Sequence, residues 1–508
     1  MGEPQEVDLR RSARQGGAML KHLLPLAALL FAVPAQADRP APLQQQVEAV
    51  LAAAPAGTRF GLLVVDEQGR EVVAIAPDQR FIPASNTKLF TTAAAMAVMS
   101  GDDAAFRIGG ATDLALVPAS KGAPDAWLTG RGGVSLSTAP DCVQHCLAQL
   151  ADWVAARTRR LRDVVADDSH FVDQRWSPGM SWNNIGTDSG TATSALIVDN
   201  NEVPITVSPG QPGEPAKVAV SPYFTLVNEV VTSAGGKTQI AVDRAVNGRT
   251  LRVYGRIAAG APPWKDLLGI DDGADFAAWA LRQALTARGV KITGRTRLNH
   301  QAPRDPLAME IRSVPRPAAR IVIEAPGLAE EVSGINKPSQ NLHAEALLRR
   351  LGIAAADRNL LATPTAQRGS LEAGLEAMRA VLAGAGLPRT GYDFSDGSGM
   401  STYNRVSPRA AVALLRWGAK QPWGADWRAS LPVGGVDGTL KRRFAGTPLA
   451  GQIFAKTGTL NATNGLSGYL RAASGRELTF AIFANDVPDG TSALAAMDAA
   501  LAAVAAAN

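Results

Sequence analysis

Apolar runs and the polar breaks between them divide the chain into stretches of different texture. Gly61-Leu62-Leu63-Val64-Val65 is followed by a polar turn, Asp66-Glu67-Gln68-Gly69, and then by Glu71-Val72-Val73-Ala74-Ile75, which predicts two strands within residues 60–82. A helical stretch follows from Asn86 to Met99 and is stopped by Gly101. From about residue 103 to 310 short apolar runs such as Val218-Ala219-Val220 and Leu251-Arg252-Val253-Tyr254 alternate with Gly and Pro turns, with one clearer helix from Asp275 to Arg288. This predicts one or two mostly β modules set into a larger fold. Helices return at Gln340 to Leu351, Leu371 to Ala385 and Pro408 to Trp417. The C-terminal part predicts three strands, Ile453–Leu460, Leu466–Ala472 and Glu477–Asn485, with Ser474-Gly475 turning between the last two. A final alanine-rich helix, Ser492 to Ala507, has Asp498 as its one charge and no Lys or Arg, so it is expected to cover the sheet, not to lie on a membrane.

The N-terminus has a pattern of its own. Leu23 to Val33 is a short apolar run after Lys21 and His22, followed by Pro34 and Ala35-Gln36-Ala37. A basic flank, a run of about 7–15 apolar residues and an A-x-A site describe a cleavable secretory signal over residues 1–37. A spanning helix needs about 20 residues. Met19 opens a more typical leader than Met1, and the Arg10-Arg11 pair lacks the apolar pair that a twin-arginine signal places close behind it. Export to the periplasm is the expectation.

Composition narrows the function classes. At 508 residues the chain has room for roughly three domains. Its 46% hydrophobic content excludes a disordered protein, and two cysteines exclude a disulfide scaffold and a thiolate zinc site. Five scattered histidines without H-E-x-x-H leave no metal site, and no cofactor is expected. The net charge of +5 is modest, and no basic run interleaves with aromatics, which argues against nucleic acid as a partner. Cys142 and Cys146 would share one face of a helix. They are read either as buried or unpaired thiols or as a bridge formed in an oxidising compartment, one that helical geometry would strain.

The chemistry concentrates in three short motifs. Ser85-Asn86-Thr87-Lys88 opens the first helix after Pro83-Ala84, so the Ser85 hydroxyl and Lys88 amine share a face. Serine becomes a nucleophile when a neighbouring base takes its proton, and the apolar residues after Lys88 can desolvate the amine towards that role. Ser85 at a helix N-terminus also meets free N–H groups. Lys456-Thr457-Gly458-Thr459 ends a predicted strand, where an extended peptide can pair with the edge and the charge and hydroxyl can hold a carboxylate. Gly458 lets that backbone approach. The third motif is Ser339-Gln340-Asn341, a hydroxyl for proton relay beside an amide for substrate positioning. Ser181-Trp182-Asn183 satisfies the same S-x-N pattern, but only 339–341 precedes a helix and lies between the other two motifs. Taken singly, S-x-x-K also describes a capped helix start with a surface lysine, and K-T-G a hairpin turn.

In order, S-x-x-K, S-x-N and K-T-G are the signature of penicillin-binding proteins and class A β-lactamases. About 250 residues separate Lys88 from Ser339, more than a single-domain β-lactamase has room for. The chain resembles the class C low-molecular-mass penicillin-binding proteins, the D-alanyl-D-alanine carboxypeptidase/endopeptidases. The resemblance extends through Asn341 to Arg349, Asp396-Gly397-Ser398-Gly399-Met400-Ser401, Leu431 to Leu440 and Leu466-Ser467-Gly468-Tyr469-Leu470. It implies an α/β (α+β) serine β-lactamase/transpeptidase-like domain built from residues 38–102 and 311–508. Inserted domains would occupy 103–310, with a third nested at about 205–290. It implies Ser85 as the acylated nucleophile, Lys88 as base, and Ser339 and Asn341 in proton transfer and substrate positioning. Lys456, Thr457, Gly458 and Thr459 would form the substrate-binding strand, with the N–H groups of Ser85 and Thr459 as oxyanion hole. The implied partners are peptidoglycan stem peptides and, as inhibitors, β-lactam antibiotics. Gln340 stands where the family usually has Asp and Met400 where it has Leu. Asn184 stands where some members carry an acid that can meet the stem-peptide amine, and the nearest carboxylate is Asp188.

Two rivals share the scaffold: a β-lactamase or esterase, which needs a positioned deacylating base, and a non-catalytic wall-binding protein, which has no reason to keep Ser85, Lys88 and Lys456 together. Other matches fail on their own terms. Gly235-Gly236-Lys237-Thr238 lacks the first P-loop glycine, with Val231 in its place; Asp396-Gly397-Ser398-Gly399 does not satisfy G-x-S-x-G and is expected to be a loop near the active site; His343 and Glu345 lack the cysteines of a zinc deaminase. No residue establishes a homodimer, and that question stays open.

Overall fold

A computed structural model describes residues 42–119, 121–303, 319–361 and 366–508. The expected signal, residues 1–37, lies outside the described residues.

The two ends of the described chain meet in one antiparallel sheet of five strands, in the order Ile453–Leu460, Thr463–Arg471, Glu477–Asn485, Arg59–Val65, Glu71–Ile75. Alternation along Arg59–Val65 explains why the sheet is covered on both faces. Leu62 and Val64 point to a layer made by the helices Pro42–Leu51 and Leu494–Ala507, packing with Val47, Met497, Leu501 and Val504. Leu63 and Val65 point the other way, into the larger core with Phe90, Leu347, Met378 and Leu414. Those side chains come from the helices Thr87–Met99, Asn341–Asp357, Leu371–Gly384 and Pro408–Gly418. The alanine-rich terminal helix is thus a core element, and its Asp498 pairs with Arg443.

The intervening region builds a second core around a five-stranded mixed sheet, ordered Thr296–Gln301, Val164–Val172, Asp125–Gly130, Thr112–Val117, Arg320–Ile323. Two three-stranded sheets accompany it, one of Gln239–Asp243, Thr250–Ala258 and Thr225–Ser233, the other of Trp264–Gly269, Glu202–Ser208 and Lys217–Val220. Besides the expected helix, which runs Gly273–Ala287, the region holds Asp103–Gly109 and Leu147–Ala155.

Three local readings need correction. Cys142 and Cys146 do not share a helix: they precede Leu147–Ala155, with Cys146 as its N-cap, and are joined as a disulfide. The helix expected to end at Leu351 continues to Asp357. Within it, a side chain at Gly352 would come within 2.6 Å of the Gly374 backbone N, so glycine permits a close crossing of two helices. The helix Leu328–Asn336, just before Ser339, was not anticipated. Gly235 to Thr238 join two strands, with no helix behind them to cradle a phosphate.

Candidate active site

The nucleophile turn is held from two sides. Pro83-Ala84-Ser85 enters a 3₁₀ turn, Ala84–Asn86, that runs directly into Thr87–Met99. Ala84 has φ 48°, a left-handed conformation that costs a non-glycine residue energy and turns Ser85 towards the cleft. Gly399 packs so closely on this turn that a Cβ would lie 1.9 Å from the Ala84 carbonyl oxygen. From the opposite side, a Cβ on Gly458 would lie 2.5 Å from the Pro83 carbonyl oxygen and 3.2 Å from Ser85 N. Glycine at 458 therefore lets the K-T-G strand lie against the nucleophile turn itself.

Ile453–Leu460 is the edge strand of its sheet. Its first half is covered: Ala455 N–H donates to Pro432 O and Gly434 N–H to Ile453 O. Strand alternation then aims the N–H groups of Thr457 and Thr459 at the same outer edge, towards Ser85. Thr459 is exposed, Gly458 buried, and Thr457 Oγ1 lies 2.6 Å from Thr439 Oγ1.

Two fully buried lysines flank this edge. Lys88 Nζ donates to Ser85 Oγ at 2.9 Å, Asn341 Oδ1 at 2.6 Å and the Ser398 carbonyl at 2.6 Å. Burial lowers the Lys88 pKa to about 7, against the opposing pull of the Asp396 and Glu345 charges. Lys456 Nζ donates to Ser339 Oγ at 2.8 Å and to the Thr457 carbonyl at 2.9 Å. Burial, and then the Lys88 charge, push its pKa well below that of an ordinary ammonium. Ser339 itself has φ 69° and leads into the helix Asn341–Asp357, so the first residues of that helix face both lysines.

The structure brings Ser85, Lys88 and Asn341 into one hydrogen-bonded group and Ser339, Lys456 and Thr457 into a second, with Gly458 and Thr459 following on the same strand as Lys456. Sequence reasoning gave no role to the residues that support them. Glu345 Oε1 accepts from Gly397 N–H and Ser398 N–H, both at 2.9 Å, and so holds the loop whose carbonyl meets Lys88. Asp396 accepts from Gly399 N–H at 2.9 Å, Ser401 N–H at 2.5 Å and Asn404 Nδ2 at 2.6 Å. Their only sequence signal was membership in the long stretches that carried the family resemblance.

A serine at a helix start, with a buried amine on its hydroxyl and an open strand edge alongside, defines a serine hydrolase that acts on peptides. The fold is that of a penicillin-binding protein: the crystal structure of penicillin-binding protein 4 (DacB) from Haemophilus influenzae matches with TM-score 0.74 and 22% identity, over 90% of this chain and 98% of that one. The D-Ala-D-Ala carboxypeptidase 3 (S13) family matches residues 43–507, and the chain belongs to that family. It is 33% identical to a D-alanyl-D-alanine carboxypeptidase of Actinomadura sp., over 98% of this chain and 91% of that one. It is also 24% identical to the D-alanyl-D-alanine carboxypeptidase DacB of Haemophilus influenzae, over 86% and 87%. The protein is a serine-type DD-peptidase with D-Ala-D-Ala carboxypeptidase activity.

Among the described residues, no group of His, Cys, Asp and Glu could hold a metal ion, and no helix is long and apolar enough to cross a membrane.

Proposed function

We propose that Ser85 is the acylated nucleophile and Lys88 its general base. The observation that carries this reading is the 2.9 Å contact from Lys88 Nζ to Ser85 Oγ in a site that lowers the lysine pKa to about 7. Such an amine is partly neutral at physiological pH and can take a proton. Ser85 Oγ then attacks the carbonyl carbon of the penultimate D-Ala, its proton passing to Lys88 Nζ. The oxyanion forms between the N–H groups of Ser85 and Thr459. The C–N bond breaks, and the proton taken from Ser85 is passed on through Ser339 to the leaving amine, which restores neutral Lys88, with Asn341 positioning the peptide. Water hydrolyses the ester and frees Ser85.

Lys456, Thr457 and Gly458 bind the C-terminal end of the substrate. Burial works against a charge on Lys456 in the free enzyme, and a substrate carboxylate arriving beside it offsets that penalty and draws a proton onto the amine. The open edge beyond Ala455 also accommodates a D-Ala–diaminoacyl cross-link, so the reading includes endopeptidase action on peptidoglycan. Penicillin, a reactive amide, acylates the same serine.

The organisation we propose is a catalytic domain interrupted by inserted domains, one nested at about 205–290. The boundaries expected at 102/103 and 310/311 need one change, because Arg320–Ile323 pairs with Thr112–Val117 in the inserted sheet and moves the second boundary to about residue 324. Residues 1–37 act as an export signal to the periplasm. A β-lactamase would need a second base placed to activate water over the ester, and the residues around Ser85 do not suggest one.

The test is labelling of the mature protein with a fluorescent penicillin beside Ser85→Ala. A stable adduct on the wild type alone is expected. A folded wild type that takes no label overturns the acyl-enzyme reading, and label lost within seconds favours the β-lactamase. Cross-linked and monomeric muropeptides then separate endopeptidase from carboxypeptidase action.

A further inference from the structure

The S-x-N element and the helix start behind it are gripped by the inserted region at three places. Gln340 Nε2 donates to Glu202 Oε1 at 2.9 Å. Asn341 Nδ2 donates to the Ser189 carbonyl at 3.0 Å, while its Oδ1 accepts from Lys88. His343 Nε2 lies 2.9 Å from Asn200 Oδ1. An amide with one end on a carbonyl and the other on an ammonium or amine has a single sensible orientation. The Ser189 carbonyl therefore fixes which end of Asn341 faces Lys88.

The segment that supplies two of these contacts is itself under backbone strain. Asp199, Asn200 and Asn201 have φ of 47°, 58° and 52°, three consecutive non-glycine residues in the left-handed region. Such strain persists only where the surroundings over-determine it, and here they do. The Asp199 carboxylate accepts from Ser137 Oγ at 2.8 Å and Thr138 N–H at 2.9 Å. Fully buried Asn201 accepts from Val198 N–H at 3.1 Å and donates to the Leu196 carbonyl at 3.3 Å, and its own carbonyl accepts from Thr191 Oγ1 at 2.6 Å. The turn aims Asn200 at His343 and starts the strand Glu202–Ser208 with Glu202 against Gln340. Ser339, also left-handed, lies just before the gripped residues.

We propose that Asn200 and Glu202 are positioning residues of the peptidase reaction: they clamp His343 and Gln340 so that Asn341 and Ser339 meet the two lysines in register. This rests on the roles assigned above to Ser339 and Asn341. It gives the inserted region a part in acylation itself, and it gives Gln340, which stands where the family usually has Asp, a use as donor to a carboxylate that an aspartate could not fill.

The test is the second-order rate of penicillin acylation, with thermal melting measured alongside, for Asn200→Gly, Glu202→Ala, Glu202→Gln, Gln340→Ala, Glu202→Ala with Gln340→Ala, and Asn341→Ala. Glycine at 200 removes the side chain while keeping the left-handed backbone free of strain. Asn200→Gly and Glu202→Ala are each expected to acylate about ten-fold more slowly. Glu202→Gln, which keeps an acceptor for Gln340, should recover most of the rate, and the double variant should be no slower than Glu202→Ala alone. Wild-type rates in Asn200→Gly and Glu202→Ala overturn the proposal, as do additive losses in the double variant or a Glu202→Gln as slow as Glu202→Ala. Should Glu202→Ala fail to fold, Asn200→Gly and the Gln340→Ala single variant decide it by the same criterion. Asn341→Ala at the wild-type rate would instead overturn the role given to Asn341, a distinct failure.

Discussion

Lys88 and Lys456 lie fully buried with hydroxyls, an amide and carbonyls as their hydrogen-bond partners, whereas the cations around a cavity of about 630 Å³ in the inserted region each meet a carboxylate. There Arg244 forms two hydrogen bonds to Asp271 and Arg175 reaches Asp272 at 2.8 Å; beside the cavity, His300 sits 2.8 Å from Asp168 and 3.4 Å from the same Asp272. The consequences run in opposite directions. In the cleft, burial without a bonded counter-ion lowers the Lys88 pKa to about 7. In the insert, the Asp168 and Asp272 partners raise the His300 pKa to about 10. The same fold thus makes one set of cations reactive and keeps another set charged. Two variables act together: burial, complete at both lysines and partial at His300, and whether a carboxylate lies within hydrogen-bonding distance.

The comparison breaks most sharply at Lys88. Lys88→Ala should slow acylation about a thousand-fold, within the range expected for loss of a general base. Lys88→Arg should be comparably slow, since a guanidinium keeps its proton and cannot serve as base. An arginine variant that acylates at the wild-type rate would mean that charge, not basicity, is what position 88 supplies. In the wild type the acylation rate should climb with pH around a midpoint near 7, as Lys88 loses its proton.

How much of this was legible in the sequence follows the distance along the chain over which each feature is made. Ser85 and Lys88 are one helical turn apart, and Lys456 to Thr459 are consecutive on a strand, so local periodicity placed them. Ser339-Gln340-Asn341 was ambiguous with Ser181-Trp182-Asn183 until its place between the other motifs was used. The Lys88 contact to Ser398 spans 310 positions and the His300–Asp168 pair spans 132. No local pattern encodes either. The main sheet was readable as strands, but its closure, Arg59–Val65 against Glu477–Asn485, joins the chain's far ends and became an expectation only through family resemblance. The helix end beyond Leu351 was not legible, because a glycine such as Gly352 can either end a helix or let two helices touch, and only the neighbour Gly374 decides which.

A smaller effect, in a different quantity, is expected at Arg244. Its side chain is 6% exposed and that of Asp271 4%, so Arg244→Met leaves a buried carboxylate without its partner. The loss in stability should be about 3 kcal/mol, measured by urea unfolding, while the acylation rate per folded molecule stays at the wild-type value. A variant of wild-type stability would show that the Arg244–Asp271 pair does no more than break even, and a slow but stable variant would tie the charged cavity to the chemistry.

The subtlest separation of the two regions is by pH. His300 titrates at about 10 in the folded protein and near 6.5 when unfolded. Because the folded value is the higher one, its contribution to stability is fully present below about 6.5 and is lost as pH rises through about 10. Asp168, Asp272 and Arg175 face or adjoin the ring; the first two favour its charge, and Arg175, paired to Asp272, opposes it. The melting temperature of the wild type should therefore exceed that of His300→Gln most at about pH 6, and the gap should narrow steadily towards pH 10. A gap that does not change with pH would mean that the ring contributes packing and no charge. Over the same interval the acylation rate should be rising as Lys88 deprotonates. One pH series on the wild type and His300→Gln thus carries two opposite slopes, one for the cleft and one for the insert, and each tests its own set of cations without disturbing the other.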